Sequence, residues 1–287
     1  MKQNKYGILY SLPLTVWLAI FFILPMLIVL VYAFLKKGLY GGVELEFTLR
    51  SFAIFKDRVF LIVLGRTILM SLLITFFTVV FAIPTAYFIA RSEHRQEYLF
   101  LIIIPFWTNF LIRIYSWVAI LGNNGLVNGL LIKSGIIKEP LQLLYNMAAV
   151  IVISVYTDLP FAILPLYAVI EKFDFTLMEA ARDLGMTNGQ AFFKVFLPNI
   201  KAGIITAVLF TFIPSLGSYA VPRLVGGTGS IMLGNLIAQH LLTTRNWPLA
   251  SVISGGLIVV TGITIWLMLR LAKKARAIQE VQVSADE

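Results

Sequence analysis

Six apolar runs cover most of the chain, at roughly residues 11–35, 62–90, 99–121, 146–170, 199–222 and 248–272, with polar or charged stretches between them. A bilayer core about 30 Å thick is crossed by roughly 20 apolar residues in helix, and every run meets that length. Leucine, isoleucine, valine and phenylalanine dominate all six. None shows the two-residue alternation of a barrel strand. Lipid offers no hydrogen bonds to the backbone, so a segment that satisfies its own groups is favoured, which means a helix. The pattern predicts an all-α integral membrane protein, one transmembrane domain over residues 1–287 with about six spans. The first run follows Lys2 and Lys5 as a signal peptide would. It exceeds the about 7–15 residues of a cleaved apolar region and reads as a retained first span.

Composition agrees: 59% of the 287 residues are apolar and 13% charged, against about 45–50% and about 25% in soluble domains. The net charge of +9 comes from basic residues beside the apolar runs, where they orient spans and meet anionic headgroups. No basic stripe interleaved with aromatics points to nucleic acid. With no cysteine, disulfides and thiolate sites are excluded, and His94 and His240 stand too far apart in sequence to suggest a metal site. No phosphate-cradling G-x-x-x-x-G-K-[ST] occurs, so any ATP that drives this chain is bound elsewhere.

Six spans put both termini on one side. Arg270, Lys273, Lys274 and Arg276 after the last run mark that side as cytoplasmic. Residues 91–98 and 171–198 are then inside, and 36–61, 122–145 and 223–247 outside. The outer segment 36–61 is itself basic (Lys36, Lys37, Arg50, Lys56, Arg58), so the orientation rests on the C-terminal cluster. Pro25, Pro84, Pro105, Pro160, Pro165, Pro214 and Pro222 fall in the runs and predict kinks. Ala82, Ala86 and Ala90 form a small-residue stripe that lets another helix approach.

The inside segment 171–198 is too polar to span. Thr176 and Glu179 predict a capping box, Gly185 a helix end, and Thr187 and Gln190 a second box. Pro198 suits the opening turn of the next span. Two short helices joined near Gly185–Met186 follow. Leu177, Ala181 and Leu184 share a face of the first. Pattern alone leaves open whether that helix packs on its own bundle or fits a cleft of another protein.

The run Glu179-Ala180-Ala181, then Gly185, then Val195-x-Leu197-Pro198 resembles the EAA loop of ABC-importer permeases, with Val195 standing for isoleucine. Phe47-Thr48-Leu49, Arg66-Thr67, Pro105-Phe106-Trp107-Thr108-Asn109, Leu111 to Tyr115, Gly217-x-Tyr219, Gly226-Gly227 and Gly234 to Ile237 are similar to the polyamine-type permeases of that family. The resemblance implies a type I ABC-importer permease fold in a bacterial cytoplasmic membrane. It implies a non-catalytic subunit that imports spermidine or putrescine. Its partners would be two ATPases that bind ATP and Mg, a second and different permease subunit, and an extracytoplasmic binding protein. Glu179, Ala180, Ala181 and Gly185 would then form the helix that docks on the ATPase.

Ionisable groups inside spans are costly and point to function. Asp158 stands two residues before Pro160, and Arg113 shares a predicted helix face with Asn109 and Trp117. The pair lines a path, or forms a structural ion pair, or Arg113 snorkels to an interface. Trp107 and Tyr219 offer rings to an ammonium, and Ser215 and Ser218 add hydroxyls. These seven residues (Asp158, Trp107, Asn109, Arg113, Ser215, Ser218, Tyr219) are the path candidates. One departure bears on the solute. Polyamine permeases commonly read Pro-Asp-Leu before the Gly-Gly pair, and this chain has Pro222-Arg223-Leu224. A base at the outer mouth favours a less cationic or an anionic solute. An ion-coupled carrier would need paired broken repeats, and a membrane enzyme clustered acids or histidines; the pattern shows neither.

Overall fold

The computed structural model describes residues 3–285, with side chains for Tyr10 and residues 12–270. Lys2 and the side chains of Lys5, Lys273, Lys274 and Arg276 lie outside the described residues. The chain is mostly helical, and its contacts divide it into two compact units. One takes in the chain up to Ile62 together with Leu236–Val260; the other takes in Val63–Asn235 and the chain from Thr261 onward.

In the first unit, α1 (Gln3–Leu18) and α2 (Leu24–Tyr32) are joined through a π-helical stretch, Ala19–Ile23. The wider turn stands just before Pro25, whose ring removes an i→i−4 bond. Together they supply the apolar span Leu12–Tyr32, none of whose window is buried within the chain. A short antiparallel hairpin follows, β1 (Leu35–Lys37) and β2 (Val43–Phe47). The sequence pattern did not predict these strands. Lys36 crosses the hairpin to Glu46 at 2.6 Å and to Glu44 at 3.6 Å, and the Gly42 amide donates to the Arg245 carbonyl at 2.9 Å. A 3-10 segment, Arg50–Lys56, leads toward α3 (Arg58–Arg91). Near the other end of the unit, Trp247 stacks on Tyr32 with ring centroids 6.1 Å apart.

The second unit carries most of α3, then α4 (Arg95–Ile103), α5 (Phe110–Leu121), α6 (Leu126–Lys133) and α7 (Met147–Ile170). After these come α8 (Thr176–Asp183), α9 (Asn188–Ala191), α10 (Leu197–Asn199), α11 (Lys201–Leu216) and α12 (Ala220–Val225). The helix α13 (Leu233–Ala238) and the long α14 (Trp247–Ala285) run across the division between units. α7 and α11 pack along their length. A β-carbon on Gly203 would stand 3.1 Å from the Val169 side chain, so the glycine permits this approach. Ala82 and Ala86 of the predicted small-residue stripe are fully buried beside Ala162, Leu166 and Ala207. Half of the α7 window is buried, more than in the other single-helix spans.

Among the described residues, five helical stretches are long and apolar enough to cross a membrane, and the bent pair Asn188–Asn199 with Lys201–Leu216 raises this to six. Two expected spans are corrected. The run 99–121 is not one helix. It passes through a 3-10 turn, Ile104–Trp107, and an extended Thr108 before α5 starts, so the candidate span is Phe110–Lys133. Thr108 donates its hydroxyl to the Pro105 carbonyl at 2.6 Å, and Asn109 caps α5 by accepting from the Leu111 amide at 2.8 Å. Such local side-chain bonds compete with the helix ladder. Asn109 therefore does not share a helical face with Arg113. The run 199–222 is also broken. The chain bends by 70° between Asn199 and Lys201, and α11 stops at Leu216 before Gly217. Pro198 lacks the amide that would continue the ladder, and the Asn199 side chain bonds the Val195 carbonyl at 2.8 Å instead.

Candidate functional site

A cavity of about 450 Å³ lies in the second unit between α5, α7 and the end of α11. α7 presents Ser154, Asp158 and Phe161 to it, a stripe at four- and three-residue spacing. Pro160, two residues beyond Asp158, removes one backbone donor from the same stretch. From the α11 end come Ser215, Ser218 and Tyr219. The stretch after Leu216 is held by Asn235, which donates to the Tyr219 carbonyl at 3.0 Å and accepts from the Met232 amide at 3.1 Å. The Leu233 amide donates to the Thr67 hydroxyl of α3 at 2.9 Å.

Asp158 is the acid of this cavity. Its Oδ2 accepts from Ser215 Oγ at 3.2 Å; Thr157 Oγ1 lies 3.5 Å from its Oδ1 and also donates to the Ser154 carbonyl at 2.9 Å. Arg113 is the base. Its guanidinium lies over the rings of Phe106 and Phe110, at 5.2 and 5.7 Å from their centroids. Arg113 Nε and Ser154 Oγ are buried without a hydrogen-bond partner. Among the described residues no salt bridge joins Arg113 to Asp158, so the structural ion pair is absent from this conformation.

Of the seven path candidates, the fold brings five together: Arg113, Asp158, Ser215, Ser218 and Tyr219. It leaves two apart. Trp107 is 78% exposed and meets Phe100 edge-on at 6.2 Å, and Asn109 serves as the cap of α5. Sequence reasoning missed Phe106, Phe110, Ser154, Thr157 and Phe161. The periodicity of Ser154, Asp158 and Phe161 was available to find part of that wall; the approach of Phe106 and Phe110 depends on the break at Thr108. Arg223 is exposed on α12 and does not line the cavity.

The second candidate surface is the polar segment after α7. α8 ends as its glycine demands. Gly185 has φ +89°, its amide bonds the Arg182 carbonyl at 2.8 Å, and the Met186 amide bonds the Ala181 carbonyl at 3.1 Å. These two bonds are the Schellman pattern. The box at Thr187 and Gln190 forms in both directions, at 3.0 and 3.3 Å. The box at Thr176 and Glu179 does not form, because Thr176 gives its amide and hydroxyl to Asp174 Oδ1 at 3.0 and 2.7 Å. Those bonds hold the Asp174 carboxyl below its ordinary pKa. The helix then begins at Thr176 with Phe175 before it.

The expected apolar face of α8 also divides. Ala181 is buried, whereas Leu177 and Leu184 stay exposed, Leu184 at 85%. Behind the helix, Phe173, Phe175, Phe192 and Phe196 cluster with Tyr87 of α3, and Phe196 is fully buried. Arg91 donates to the Tyr87 hydroxyl at 2.9 Å and lies 5.3 Å from the Phe175 centroid. Glu179 and Ala180 face outward. The segment is thus a short helix fixed from behind, with Glu179 (3.9 Å from Arg182), Ala180 and two leucines on its exposed side.

No family model matches the chain. Curated relatives do. The spermidine/putrescine transport system permease protein PotB of Haemophilus influenzae is 36% identical over 273 residues, covering 94% of this chain and 96% of that one. PotB of Escherichia coli is 37% identical over 263 residues, covering 90% and 96%. Among solved structures, a chain of a bacterial alginate ABC transporter, crystallised with an alginate pentasaccharide-bound periplasmic protein, matches with a TM-score of 0.70. It is 18% identical, over 94% of this chain and 96% of that one, and shows the fold. With more than a third of its residues identical to PotB proteins over nearly its whole length, and with the fold of an ABC-transporter permease, the chain belongs to the PotB family of ABC-importer permeases.

Proposed function

We propose that this chain is the permease subunit of an ATP-driven importer that moves a polyamine, spermidine or putrescine, across a bacterial inner membrane. Both termini are cytoplasmic in this reading, which the Arg270 cluster supports. Two ATPase subunits bind ATP and Mg, a second permease subunit of PotC type completes the passage, and an extracytoplasmic binding protein delivers the solute. The names of the relatives support the solute class. The observation that carries the reading is α8. Its Glu179-Ala180 edge and exposed Leu177 and Leu184 stand on a helix locked by the Gly185 cap and the Phe196 cluster. A rigid, exposed helix of this kind suits transmission of motion from an ATPase to α7 and α11. Asp158, Ser215 and Tyr219 supply an acid, a hydroxyl and a ring for an ammonium in transit.

Glu179→Lys tests the reading in the complete importer reconstituted in vesicles. ATP-driven putrescine uptake is expected to be lost while the protein stays in the membrane. Wild-type protein purified from native membranes is expected to carry an ATPase subunit with it. Uptake that survives Glu179→Lys, or a wild-type preparation without an ATPase, would refute the docking role. A second reading, a less cationic solute, is favoured by Arg223 on α12 and Arg113 in the cavity wall.

A further inference from the structure

A second cavity, of about 350 Å³, opens where α3 ends against the polar segment. α3 presents Tyr87 and Arg91 to it, one turn apart, and α8 presents Met178, Glu179 and Arg182 from one face. Two bases thus meet one acid around a small space. All three charged side chains are exposed, so a ligand can reach them.

Both guanidiniums are held in place and incompletely used. A guanidinium carries more N–H donors than one partner can take. Arg91 spends one on Tyr87 Oη at 2.9 Å and lies over the Phe175 and Tyr87 rings, 5.3 and 5.7 Å from their centroids. Among the described residues no carboxylate pairs with it. Arg182 spends Nε on the Met178 carbonyl at 3.3 Å, and its pairing with Glu179 spans 3.9 Å, too long for a hydrogen bond. Two forks with donors to spare therefore share the wall of one cavity, beside the Asn188 amide.

A ligand for this wall brings negative charge and several acceptors. Guanidinium groups bind phosphate in a bidentate geometry, and a phosphate has oxygens enough for both forks, which a single carboxylate lacks. Arg91 is also the last residue of a candidate span, on the cytoplasmic side in the proposed orientation. Basic pockets beside spanning helices on that side take anionic lipid headgroups. Phe175 and Phe192 supply an apolar wall for the carbon chain next to a lipid phosphate.

We propose that this cavity binds a phosphate group, that of an anionic lipid headgroup or a free phosphate, through Arg91 and Arg182, and that the occupied site ties α8 to the end of α3. The site needs the orientation of the proposed function but not its solute, so putrescine uptake tests that function separately.

The test places the complete importer in nanodiscs of phosphatidylcholine with a rising share of phosphatidylglycerol. A parallel arm uses phosphatidylcholine alone with inorganic phosphate in the buffer. In wild type, hydrogen exchange of the α8 amides is expected to slow about tenfold on occupation, as charge-assisted bonds between two elements would make it. Arg91→Gln is expected to raise the ligand level needed for half of that effect about fivefold, the worth of one base at an anionic surface. Lys201→Gln removes a charge from an exposed residue outside the cavity wall and is expected to leave that level unchanged. Should Arg91→Gln fail to assemble, Arg91→Lys keeps the charge without the planar fork and is expected to fall between. Protection in either arm that depends on Arg91 supports the site, and the arm in which it occurs names the source. Protection in neither arm, equal shifts in Arg91→Gln and Lys201→Gln, or an Arg91→Lys that matches wild type overturns it. Release of the ATPase subunits by Arg91→Gln in every bilayer would give the cavity to an acidic side chain of that partner, and overturns it as well.

Discussion

Phe196 closes the aromatic cluster behind α8, and its truncation measures how firmly that helix is fixed. The side chain is fully buried and meets Tyr87 at 5.0 Å, Phe192 at 5.1 Å, Phe173 at 5.3 Å and Phe175 at 6.4 Å between centroids. Three of these partners lie on the polar segment and one on α3, so the ring ties the segment to a long span. Phe→Ala in a packed core costs about 3–5 kcal/mol. The neighbours are themselves bulky rings that cannot collapse into the space, which places the loss in the upper part of that range. At about 1.4 kcal/mol per tenfold, local opening of 171–198 becomes roughly several hundredfold to a few thousandfold more frequent. Hydrogen exchange of α8 to α10 amides in lipid nanodiscs reads this directly. Phe196→Ala is expected to accelerate exchange there by about that factor and to leave the middle of α3 unchanged. Phe196→Leu, which refills most of the volume, is expected to restore most of the protection. Unchanged exchange in Phe196→Ala would show that the cluster does not hold the segment, and would remove the rigid support from the coupling argument.

Two further perturbations address the ends of α8. Gly185 holds φ +89° with nothing within 4 Å of an added β-carbon, so Gly185→Val introduces backbone strain alone, about 1–3 kcal/mol; faster proteolysis at the 184–187 turn is expected, with Gly185→Asn closer to wild type because asparagine tolerates the left-handed region. Asp174 is held at a lowered pKa by its bonds from Thr176, so its contribution is present above the unfolded value of about 3.9 and is lost as pH falls through the lower folded value. Exchange at the start of α8 is expected to differ between wild type and Asp174→Asn at neutral pH and to converge in strong acid; a difference that persists there would refute the assignment.

What could be read before the fold was known depended on how local its cause was. The spans follow from apolar runs whose length a bilayer dictates, and Gly185 follows from a backbone conformation that only a few residues accept. The grouping of Asp158 with Ser215 and Tyr219 followed from the cost of polar groups in lipid. The break before α5 was hidden, because it depends on whether Thr108 and Asn109 spend their side chains on the backbone or leave it helical. The hairpin was hidden for a related reason: strands of three and five residues are too short for alternation to show. The buried face of α8 was misread because rings from α3 and from residues 173–196 decide it. Helical spacing grouped Leu177 and Leu184 with Ala181; Ala181 is buried, Met178 packs on the aromatic cluster, and the leucines stay outside.

Cavity and polar segment are joined by the same two helices. α7 carries Asp158 and runs twelve residues on to Ile170, about 18 Å at 1.5 Å per residue, where Glu171 pairs with Arg95 at 3.2 Å and the polar segment begins. α11 starts after the 70° bend at the other end of that segment and carries in its last turn Ser215, the partner of Asp158. The two helices touch closely at Gly203 and Val169, near the cytoplasmic end in the proposed orientation. A displacement of the polar segment therefore acts on both helices near one end, while the Asp158–Ser215 bond reports on them near the other. Close contact at Gly203 resists separation and leaves sliding or rotation as the available motion. Either one changes the hydroxyl count on Asp158, and with it the capacity of that carboxylate to hold an ammonium. On the proposed function, the step that ATP drives is then felt at the acid as a change in its hydrogen bonding, without any need for Asp158 itself to leave the cavity wall.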